Sequence, residues 1–480
     1  MAGITWRNSI SPSVTITRSI RSSTRDRLCS NEAWDGALHC NGNGACFTWD
    51  PDEAMCPSWK ATRERRHSPK GRASLTREWL CRLAVLGFDP LAEAAALRRA
   101  PAWRTLPARL RNTLARRCGE ADFSHEVKEA MDGCLACKSC VGRCPIKVNV
   151  PSFRAKFLEL YHGRYLRPAR DYLVGSLEHL LPAVGRVRGL YNPLVSSRAG
   201  QAAMRAVGLV ATPSFSHISM RRELVARNIA DATPAALAAL PAEERARSVV
   251  LVQDAFTSWY ETGLVLDVLD LVRALGFRPW IAPFRPNGKP LHVHGFLGAF
   301  ERAAARNAAM LRGLAATGVE LVGVDPSMTL TYRAEYDALP ERDRPPPVLL
   351  LQEWLARHLD AIPAGRSDAG FLLLPHCTER TTAVATLRDW QAAFTAAGAS
   401  LRILPSGCCG MAGTYGHEKE HRATSERIFA MSWAAHVAAY AASDRLLATG
   451  YSCRSQAKLV SGHRLPHPAQ ALLACLRQQR

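Results

Sequence analysis

The chain has 480 residues, of which 47% are hydrophobic and 22% are charged, and its formal net charge is +20. This length can bury two to four domain cores, and this balance of residues is that of a globular protein. No apolar run reaches the roughly eighteen residues of a membrane span, and no secretory signal is present, so we expect a cytoplasmic protein without a transmembrane segment.

Arginine carries most of the positive charge, which is densest at residues 63–72, 98–117 and 221–227. A basic patch is the electrostatic footprint of nucleic-acid binding, but these runs match no nucleic-acid module. We therefore predict no nucleic-acid partner and interpret the charge as a solvated surface or as a face that docks an acidic partner. A basic, metal-stabilised nucleic-acid binder is kept as the least favoured of three functional interpretations, the other two of which follow from the cysteine motifs below.

The first residues differ in amino-acid composition from the rest of the chain. Residues 1–28 are rich in Ser, Thr and Arg and contain no acid before Asp26. A transit peptide has this composition, but low complexity without a hydrophobic period favours a disordered tail. Residues 29–175 then carry two cysteine groups separated by amphipathic helical sequence, as at 67–80 and 89–100.

The denser cysteine group is "GCLACKSCVGRCP" at 133–145. Its spacing, C-x2-C-x2-C-x3-C followed by proline, is that of a bacterial [4Fe–4S] ferredoxin loop. Zinc sites more often pair two C-x2-C knuckles across a longer spacer. The segment 29–175 is therefore predicted to be a helical [4Fe–4S] ferredoxin-type domain, with cofactor-binding thiols at Cys134, Cys137, Cys140 and Cys144.

A sister motif, "CNGNGACFTWDPDEAMCP", lies at 40–57. In two-cluster ferredoxins the cysteine before proline ligates the other cluster. Crossed ligation would add Cys56 to one cubane and leave Cys40, Cys46 and Cys144 for the other, with Asn43 in place of a thiolate. Because amides are poor iron ligands, that second site is predicted to hold [3Fe–4S], a cubane with a non-cysteine ligand, or nothing, and in the last case Cys144 returns to the first cluster.

Residues 176–245 are predicted to form a helical linker, after which short apolar runs alternate with helices and indicate α/β units with a largely parallel sheet. "VVLVQDA" at 249–255 and "FLLLPHC" at 371–377 are offset by 122 residues, as are Pro283 and Pro405. This repetition predicts a duplicated α/β unit, with repeats at 246–345 and 346–480.

The later repeat carries a second group of thiols, Cys377, Cys408, Cys409 and Cys453. Each follows a predicted strand, and loops after successive parallel strands meet at one edge of a sheet. We predict a metal site there, holding zinc or a cluster, against the alternative of buried free cysteines. His376 and His417 are auxiliary candidates. The earlier repeat has no thiols at the equivalent positions, and its His292 and His294 are expected to line a pocket instead.

These motifs together resemble a known family. A ferredoxin-like cysteine module followed by two α/β repeats, one with "SGCCGMAG", is similar to the iron–sulfur half of FAD-linked oxidases, which include the glycolate oxidase iron–sulfur subunit. The segments "CNGNGACF", "CLACKSCVGRCPIKVNVPSFRAKFLELYHGRYLRPARDYL" and "SGCCGMAGTYGHEKE" most resemble the carboxyl-terminal half of bacterial FAD and iron–sulfur fusion enzymes of the D-2-hydroxyglutarate dehydrogenase type.

The resemblance implies an oxidoreductase component that passes electrons from a FAD-binding partner, oxidising D-2-hydroxyglutarate or D-lactate, to an unknown acceptor. About 35 residues precede Cys40, too few for a flavin domain, and no G-x-G-x-x-G turn follows a strand. We therefore expect either a separate electron-transfer subunit or the remnant of a fused enzyme, with no catalytic residues and no activity of its own. A heterodisulfide or thiol reductase that uses the later thiol group is the alternative.

Overall fold

The structure is a computed structural model that describes residues 34–365 and 369–478, and the predicted tail at 1–28 lies outside them. Its first part is helical. The helices are α1 (Asp35–Leu38), α2 (Pro57–Thr62), α3 (Pro69–Val85), α4 (Pro90–Arg99), α5 (Ala102–Arg117), α6 (Ser124–Asp132), α7 (Ser139–Arg143), α8 (Val150–Arg164) and α9 (Ala169–Gly175).

The helical part is organised around α3. The Ser68 side chain accepts a hydrogen bond from the backbone N–H of Gly71, and Pro69 occupies the first turn, so the sequence signals where this helix begins. Trp79 of α3 packs edge-on against Trp34 and Phe157, and all three rings are buried. This aromatic cluster ties α1, α3 and α8 together.

Six further helices connect this part to the α/β region. They are α10 (Leu177–Val184), α11 (Arg188–Ser196), α12 (Arg198–Ala206), α13 (Met220–Ala226), α14 (Pro234–Ala238) and α15 (Ala242–Ala246). Among the described helices, none combines the length and apolar character needed to cross a bilayer.

The first α/β unit has a four-stranded parallel sheet in the order β2–β1–β3–β4. Pro279, which cannot donate to the ladder, lies in the edge strand β2, as expected for proline in a sheet. The elements are β1 (Ser248–Val252), α16 (Ala255–Tyr260), α17 (Thr262–Ala274), β2 (Arg278–Ile281), α18 (Lys289–Val293), α19 (Leu297–Ala315), β3 (Glu320–Gly323), α20 (Pro326–Thr329) and β4 (Leu349–Leu350).

The second α/β unit has a three-stranded parallel sheet in the order β6–β5–β7. Its elements are α21 (Leu351–Arg357), β5 (Gly370–Leu374), α22 (Cys377–Thr382), α23 (Thr386–Ala396), β6 (Ser400–Ile403), α24 (Arg422–Tyr440), β7 (Leu446–Ala448), α25 (Tyr451–Ser461) and α26 (Pro468–Gln478).

The offset of 122 residues recurs in the elements themselves. Strands β1 and β5, strands β2 and β6, and helices α16 and α22 begin and end 122 residues apart. The mixed fold with parallel α/β sheets agrees with the sequence-based prediction. The boundary between the two units lies later than the predicted residue 345. Leu349 and Leu350, which the sequence analysis assigned to the second repeat, form β4 and pair with β3 of the first sheet.

The two sheets share one hydrophobic core. A single buried cluster includes Val249 and Leu251 of β1, Leu373 of β5 and Leu447 of β7, with α17, α23 and α26 packed against it. The two α/β units are therefore not independent domains. Their shared core fixes how the carboxyl ends of the two sheets face the helical part.

Candidate metal centre

Four thiols from the helical part line one small cavity: Cys56, Cys134, Cys137 and Cys140. The cavity holds about 310 Å³ of empty space, including its open side. Cys56 lies about eighty residues before the others in the chain, yet it completes the set that the crossed-ligation prediction named. That these thiols bind a cluster remains a prediction.

The backbone explains why three of these thiols meet. Ala136 and Lys138, which flank Cys137 in the chain, adopt left-handed conformations with φ of 53° and 60°. Non-glycine residues seldom adopt this region, and its use clusters at binding sites. The left-handed residues on either side of Cys137 turn the backbone so that the loop curves around the cavity. Cys56 reaches the cavity through its own left-handed conformation, with φ of 34° before Pro57.

Lys138 anchors this loop to the first α/β unit. Its Nζ lies 2.9 Å from Oε2 of Glu335, and both side chains are buried. Burial by itself raises the pKa of Glu335, but Lys289 and Lys138 outweigh burial and hold that pKa at about 2. The buried pair therefore places the cysteine loop against the α/β region through an ionised contact.

Arg72 of α3 is the second charged group at the cavity, and sequence analysis missed it. Its guanidinium is buried, and it donates to the backbone oxygen of Ala130 at 2.7 Å and to Ser58 Oγ at 3.0 Å. Its Nη1 also lies 3.7 Å from Cys56 Sγ. Among the described residues no carboxylate pairs with Arg72, and a buried charge without a counterion is unfavourable, so the cavity suits an anionic occupant.

Burial shapes the acidity of these thiols. It raises the pKa of Cys56 to about 11 and that of Cys140 well above its ordinary value. Without a bound metal, these thiols stay protonated at neutral pH. Iron or zinc binds the thiolate and displaces the proton. Four clustered sulfur donors, next to a cation that has no carboxylate partner in the part of the chain that the structure describes, fit an iron–sulfur cluster, whose thiolate-ligated form carries negative charge.

The second predicted site, Cys40, Cys46 and Cys144, lies in the helical part. Burial raises the pKa of Cys46, and the nearby thiols of Cys56 and Cys40 raise it further. Cys46 is buried in the hydrophobic cluster of the helical part, and Cys40 and Cys144 are partly buried and pack against that cluster. Asn43 is exposed, and its Oδ1 accepts from the backbone N–H of Ala45 at 3.0 Å. The Asn43 amide therefore serves the local turn, and cluster binding at this site stays a prediction.

The second thiol group does come together at one edge of the second sheet. Cys377 begins α22 after β5, the Cys408–Cys409 pair follows β6, and Cys453 lies in α25 after β7. All four side chains are buried. Neighbouring thiols of this group interact in series, Cys377 with Cys408, Cys408 with Cys409, and Cys409 with Cys453.

Backbone geometry supports this second group. Gly410 has φ of 89°, and a Cβ at this position would lie 2.3 Å from the backbone oxygen of Ser425. The glycine of "CCG" is thus required both by its left-handed conformation and by close packing. The backbone N–H of Gly410 donates to Cys408 Sγ at 3.3 Å, which would stabilise a thiolate. Four sulfur donors suit zinc or a cluster.

The two thiol groups touch each other. The Cys137 thiol interacts with the sulfur of Cys377, and this contact, followed by burial, raises the Cys137 pKa well above its ordinary value. Thr378 Oγ1 also donates to the backbone oxygen of Cys137 at 3.3 Å. Close approach depends on Gly142 of α7, where a Cβ would lie 2.0 Å from the backbone oxygen of Thr381.

The histidines named from the sequence have separate roles. His376 Nδ1 accepts from the backbone N–H of Thr378 and caps α22, and His417 lies 3.3 Å from the backbone oxygen of Val210. His294 lines a cavity that borders Cys137 and Cys377, whereas His292 packs against Phe300. Neither His376 nor His417 is needed to complete a set of four thiols.

The first sheet has a carboxylate near the position equivalent to the "CCG" thiols. The buried Glu178 side chain of α10 accepts hydrogen bonds from the backbone N–H groups of Asn287 at 3.2 Å and Gly288 at 2.6 Å. Burial raises its pKa to about 7, although these bonds lower it. The linker thus contributes to the α/β region, a role that its position in the sequence did not indicate.

Comparison with known proteins gives close relatives over nearly the whole chain. The chain is 51% identical to a D-2-hydroxyglutarate dehydrogenase of Pseudomonas putida over 93% of its own length, and 45% identical to one of Escherichia coli K12 over 95%. It covers 44% and 46% of those proteins, so it spans less than half the length of these curated relatives.

A more distant relative is a subunit of the anaerobic glycerol-3-phosphate dehydrogenase of Escherichia coli K12, 24% identical over 48% of this chain and 59% of that protein. No family model and no solved structure matches the chain. The predicted relationship to D-2-hydroxyglutarate dehydrogenases is confirmed. Correspondence to their carboxyl-terminal half stays a prediction.

Proposed function

We propose that the chain is the iron–sulfur, electron-transferring part of a FAD-linked D-2-hydroxyacid dehydrogenase. It would receive electrons from a flavin-binding domain or subunit and pass them to an acceptor. The observation that carries this proposal is the convergence of Cys56 with Cys134, Cys137 and Cys140 around one cavity, beside a buried cation without a carboxylate partner among the described residues. The names of the relatives support the 2-hydroxyacid class.

When bound, an iron–sulfur cluster takes up and releases one electron at a time. This chain's residues would hold it buried and tune it through donors to sulfur. The backbone N–H groups of Trp59 and Val150 point to the thiols of Cys56 and Cys140, and Arg72 adds a positive charge. Such donors favour the more negative, reduced form and raise the reduction potential.

We further propose that Cys377, Cys408, Cys409 and Cys453 hold a second metal centre, either zinc or a cluster. Its contact with Cys137 supports a cluster, because two redox centres in contact can exchange electrons whereas zinc has no redox chemistry. With Cys40, Cys46 and Cys144 as the incomplete second site of the helical part, the thiol-rich region extends from the helical part to the second sheet.

Removing a hydride equivalent from a 2-hydroxyacid requires a two-electron acceptor, which flavin provides and a cluster does not. We therefore place FAD on a partner or on a preceding domain. A heterodisulfide or thiol reductase that uses the "CCG" group remains the alternative, although the stretch at 453–456 reads "CRSQ" and lacks a second C-x-x-C cysteine.

The decisive experiment combines the purified chain with a matching flavin domain, taken from a relative of full length. We expect no oxidation of D-2-hydroxyglutarate by the chain alone with an artificial dye, and bleaching of its visible absorbance when substrate and flavoprotein are both present. Because the chain is strongly basic, the rate should fall with added salt. Substrate-dependent dye reduction by the flavin-free chain would contradict the proposal.

A further inference from the structure

The stretch of chain that leads to Cys56 reaches across to the second α/β unit. The contacts are made by residues 50–53, the bridging segment. The Asp52 carboxylate accepts a hydrogen bond from Ser432 Oγ of α24 at 2.6 Å, and the Asp52 backbone oxygen accepts one from Arg380 Nη1 of α22 at 3.2 Å. Two helices of the second unit therefore hold one residue of the helical part.

The same contact reaches the second thiol group. Ser432 Oγ accepts a hydrogen bond from the backbone N–H of Gly407 at 2.8 Å, and Gly407 directly precedes Cys408. Gly407 also lies so close to the bridging segment that a Cβ at this position would be 2.1 Å from the backbone oxygen of Pro51. The buried Ser432 hydroxyl thus joins Asp52 to the backbone beside a candidate metal ligand.

The other end of the bridging segment leads to Cys56 and to the cysteine loop. The buried Lys60, in the helix α2 that follows Cys56, donates from Nζ to the backbone oxygen of Glu53. The Glu53 carboxylate lies 3.0 Å from Nε of Arg143, at the end of α7, and the same helix contains Cys140. Because Cys56 is distant in the chain from the other thiols of its cavity, tertiary contacts such as these fix where its backbone lies.

The two thiol groups differ in what each needs from the other. The second group takes all four of its thiols from the second α/β unit. The first group takes three thiols from the cysteine loop and the fourth, Cys56, from a segment that the second unit anchors. Metal binding orders the loops that carry its ligands, so a metal on the second group would fix Cys408, Gly407 and, through Ser432, the bridging segment.

We propose that Asp52 and Ser432 are positioning residues for Cys56, and that metal on the second thiol group prepares the first group to complete its set of four thiolates. This proposal rests on the proposed function in one respect, namely that both groups bind metal. The dependence runs in one direction. Loss of the metal from the second group releases Cys56, whereas loss of the metal from the first group leaves the second group intact.

Alkylation of Cys56 tests the positioning role without activity. The full chain is purified anaerobically with its metal and treated with N-ethylmaleimide, and peptide mass spectrometry measures how fast each thiol reacts, because a metal-bound thiolate is protected. Ser432→Ala and Asp52→Ala each remove the hydrogen bond between the two units, and Cys56 should react at least about tenfold faster in both. Ser432→Thr keeps the hydroxyl and Asp52→Asn keeps an accepting oxygen, so both should protect Cys56 as the unaltered chain does.

Ser425→Ala is the matched control. Ser425 is another buried serine of α24, and its Oγ accepts from Gln456 Nε2 of α25 at 2.9 Å, so this variant loses a buried hydroxyl of the same helix that serves a different contact. Its Cys56 should stay protected. Equal alkylation of Cys56 in Ser432→Ala, Asp52→Ala and the unaltered chain would overturn the positioning role. Equally fast alkylation in Ser425→Ala and Ser432→Ala would overturn it in favour of a general loosening of α24.

The direction of the dependence is tested by removing one thiol from each group. Cys453→Ser alters the second group and Cys134→Ser alters the first group. We expect Cys56 to react with N-ethylmaleimide at least about tenfold faster in Cys453→Ser, since the loop that anchors it is no longer ordered by metal. In Cys134→Ser, Cys408 should stay as protected as in the unaltered chain. Protection of Cys56 in Cys453→Ser, or exposure of Cys408 in Cys134→Ser, would contradict the proposed direction.

The two proposals fail in different ways. Zinc in place of iron would contradict the proposed function, while protection of Cys56 by zinc would still report the positioning role. Absence of any metal from both groups would contradict both proposals. An iron-containing chain that the flavoprotein and substrate reduce, but whose Cys56 is equally protected in Ser432→Ala and Asp52→Ala, contradicts only the positioning role.

Discussion

The thiol of Cys137 is in contact with the sulfur of Cys377, and this contact joins the cysteine loop of the helical part to the first turn of α22 in the second α/β unit. Cys137 also lines the cavity shared with Cys56, Cys134 and Cys140. One residue thus belongs to both thiol groups, and its substitution is the most informative test of the centre.

Cys137→Ser should remove most of the visible absorbance of anaerobically purified protein, because a cubane loses one of its four thiolates. A cubane implies about 4 iron per chain, and a further three-iron site would raise this to about 7. Iron and acid-labile sulfide are measured on the variant and on Cys118→Ser, whose exposed thiol lies outside both groups and which should keep its full content. Protein that contains zinc and no iron would contradict the ferredoxin-type prediction.

Arg72→Met should lower the midpoint potential of the cluster by about 60–120 mV. The substitution removes the cation that lies 3.7 Å from Cys56 Sγ, and hydrogen bonds to charged groups contribute about 1.5–3 kcal/mol, where about 59 mV corresponds to a tenfold change for one electron. Redox titration followed by absorbance measures the potential, with iron content as the check on occupancy. Arg72→Lys keeps the charge and should shift the potential less. An unchanged potential in fully loaded Arg72→Met would show that the guanidinium serves only the fold.

Asn43→Cys tests the incomplete second site. If this site holds three irons, oxidised protein should show a paramagnetic signal near g of about 2.0, and the added thiol should convert it to a four-iron cluster without that signal. Asn43→Ser is the matched control, since it removes the same amide, which accepts from the N–H of Ala45, without supplying a ligand. Unchanged iron content and spectrum in Asn43→Cys would indicate an empty site.

Gly142→Ala should separate the two thiol groups. The new Cβ would lie 2.0 Å from the backbone oxygen of Thr381, so α7 must move away from α22, and overpacking of this kind costs about 1–3 kcal/mol. Urea unfolding measures the loss of stability, and paramagnetic resonance of the reduced protein measures the weakened coupling between the centres. Gly189→Ala, at a helical glycine with open space around it, should be neutral or stabilising. Equal effects of the two substitutions would contradict the close contact.

Glu178→Gln tests the buried carboxylate of the first sheet. Burial raises the pKa of Glu178 from 4.5 to about 7 in the folded protein, so between these values the folded state binds the proton that the unfolded state has released. The free energy of unfolding should therefore fall as pH rises through this window, by up to about 3 kcal/mol, since one pKa unit corresponds to about 1.4 kcal/mol.

Urea unfolding of the unaltered chain and of Glu178→Gln, at pH values from about 4.5 to 8, gives the difference that belongs to this group. Other buried groups contribute equally to both proteins and cancel. The difference should grow in favour of Glu178→Gln as pH rises. Glu243→Gln, at an exposed position, should leave the profile unchanged, and parallel profiles for Glu178→Gln and the unaltered chain would contradict the prediction.

The sequence by itself determined the features that depend on local spacing. The C-x2-C-x2-C-x3-C run, the "CCG" tripeptide and the alternation of apolar runs with helices are contained in short stretches. They sufficed to predict the thiols, the parallel α/β sheets and the offset of 122 residues that the strands reproduce. The place of Cys56 beside Cys134, Cys137 and Cys140 also follows from a rule of ferredoxin-type spacing, in which the cysteine before proline serves the other cluster. Its role as a ligand stays a prediction.

The tertiary structure decided what depends on packing between distant segments. No spacing marks Arg72 as the buried cation beside Cys56, Glu335 as the partner of Lys138, or Gly142 as the point where α7 meets α22. These contacts arise because the two sheets share one core and together present their carboxyl ends to the cysteine loop. Local patterns report the contacts a residue makes within its own turn or strand, whereas the meeting of Cys137 with Cys377 depends on how whole elements pack.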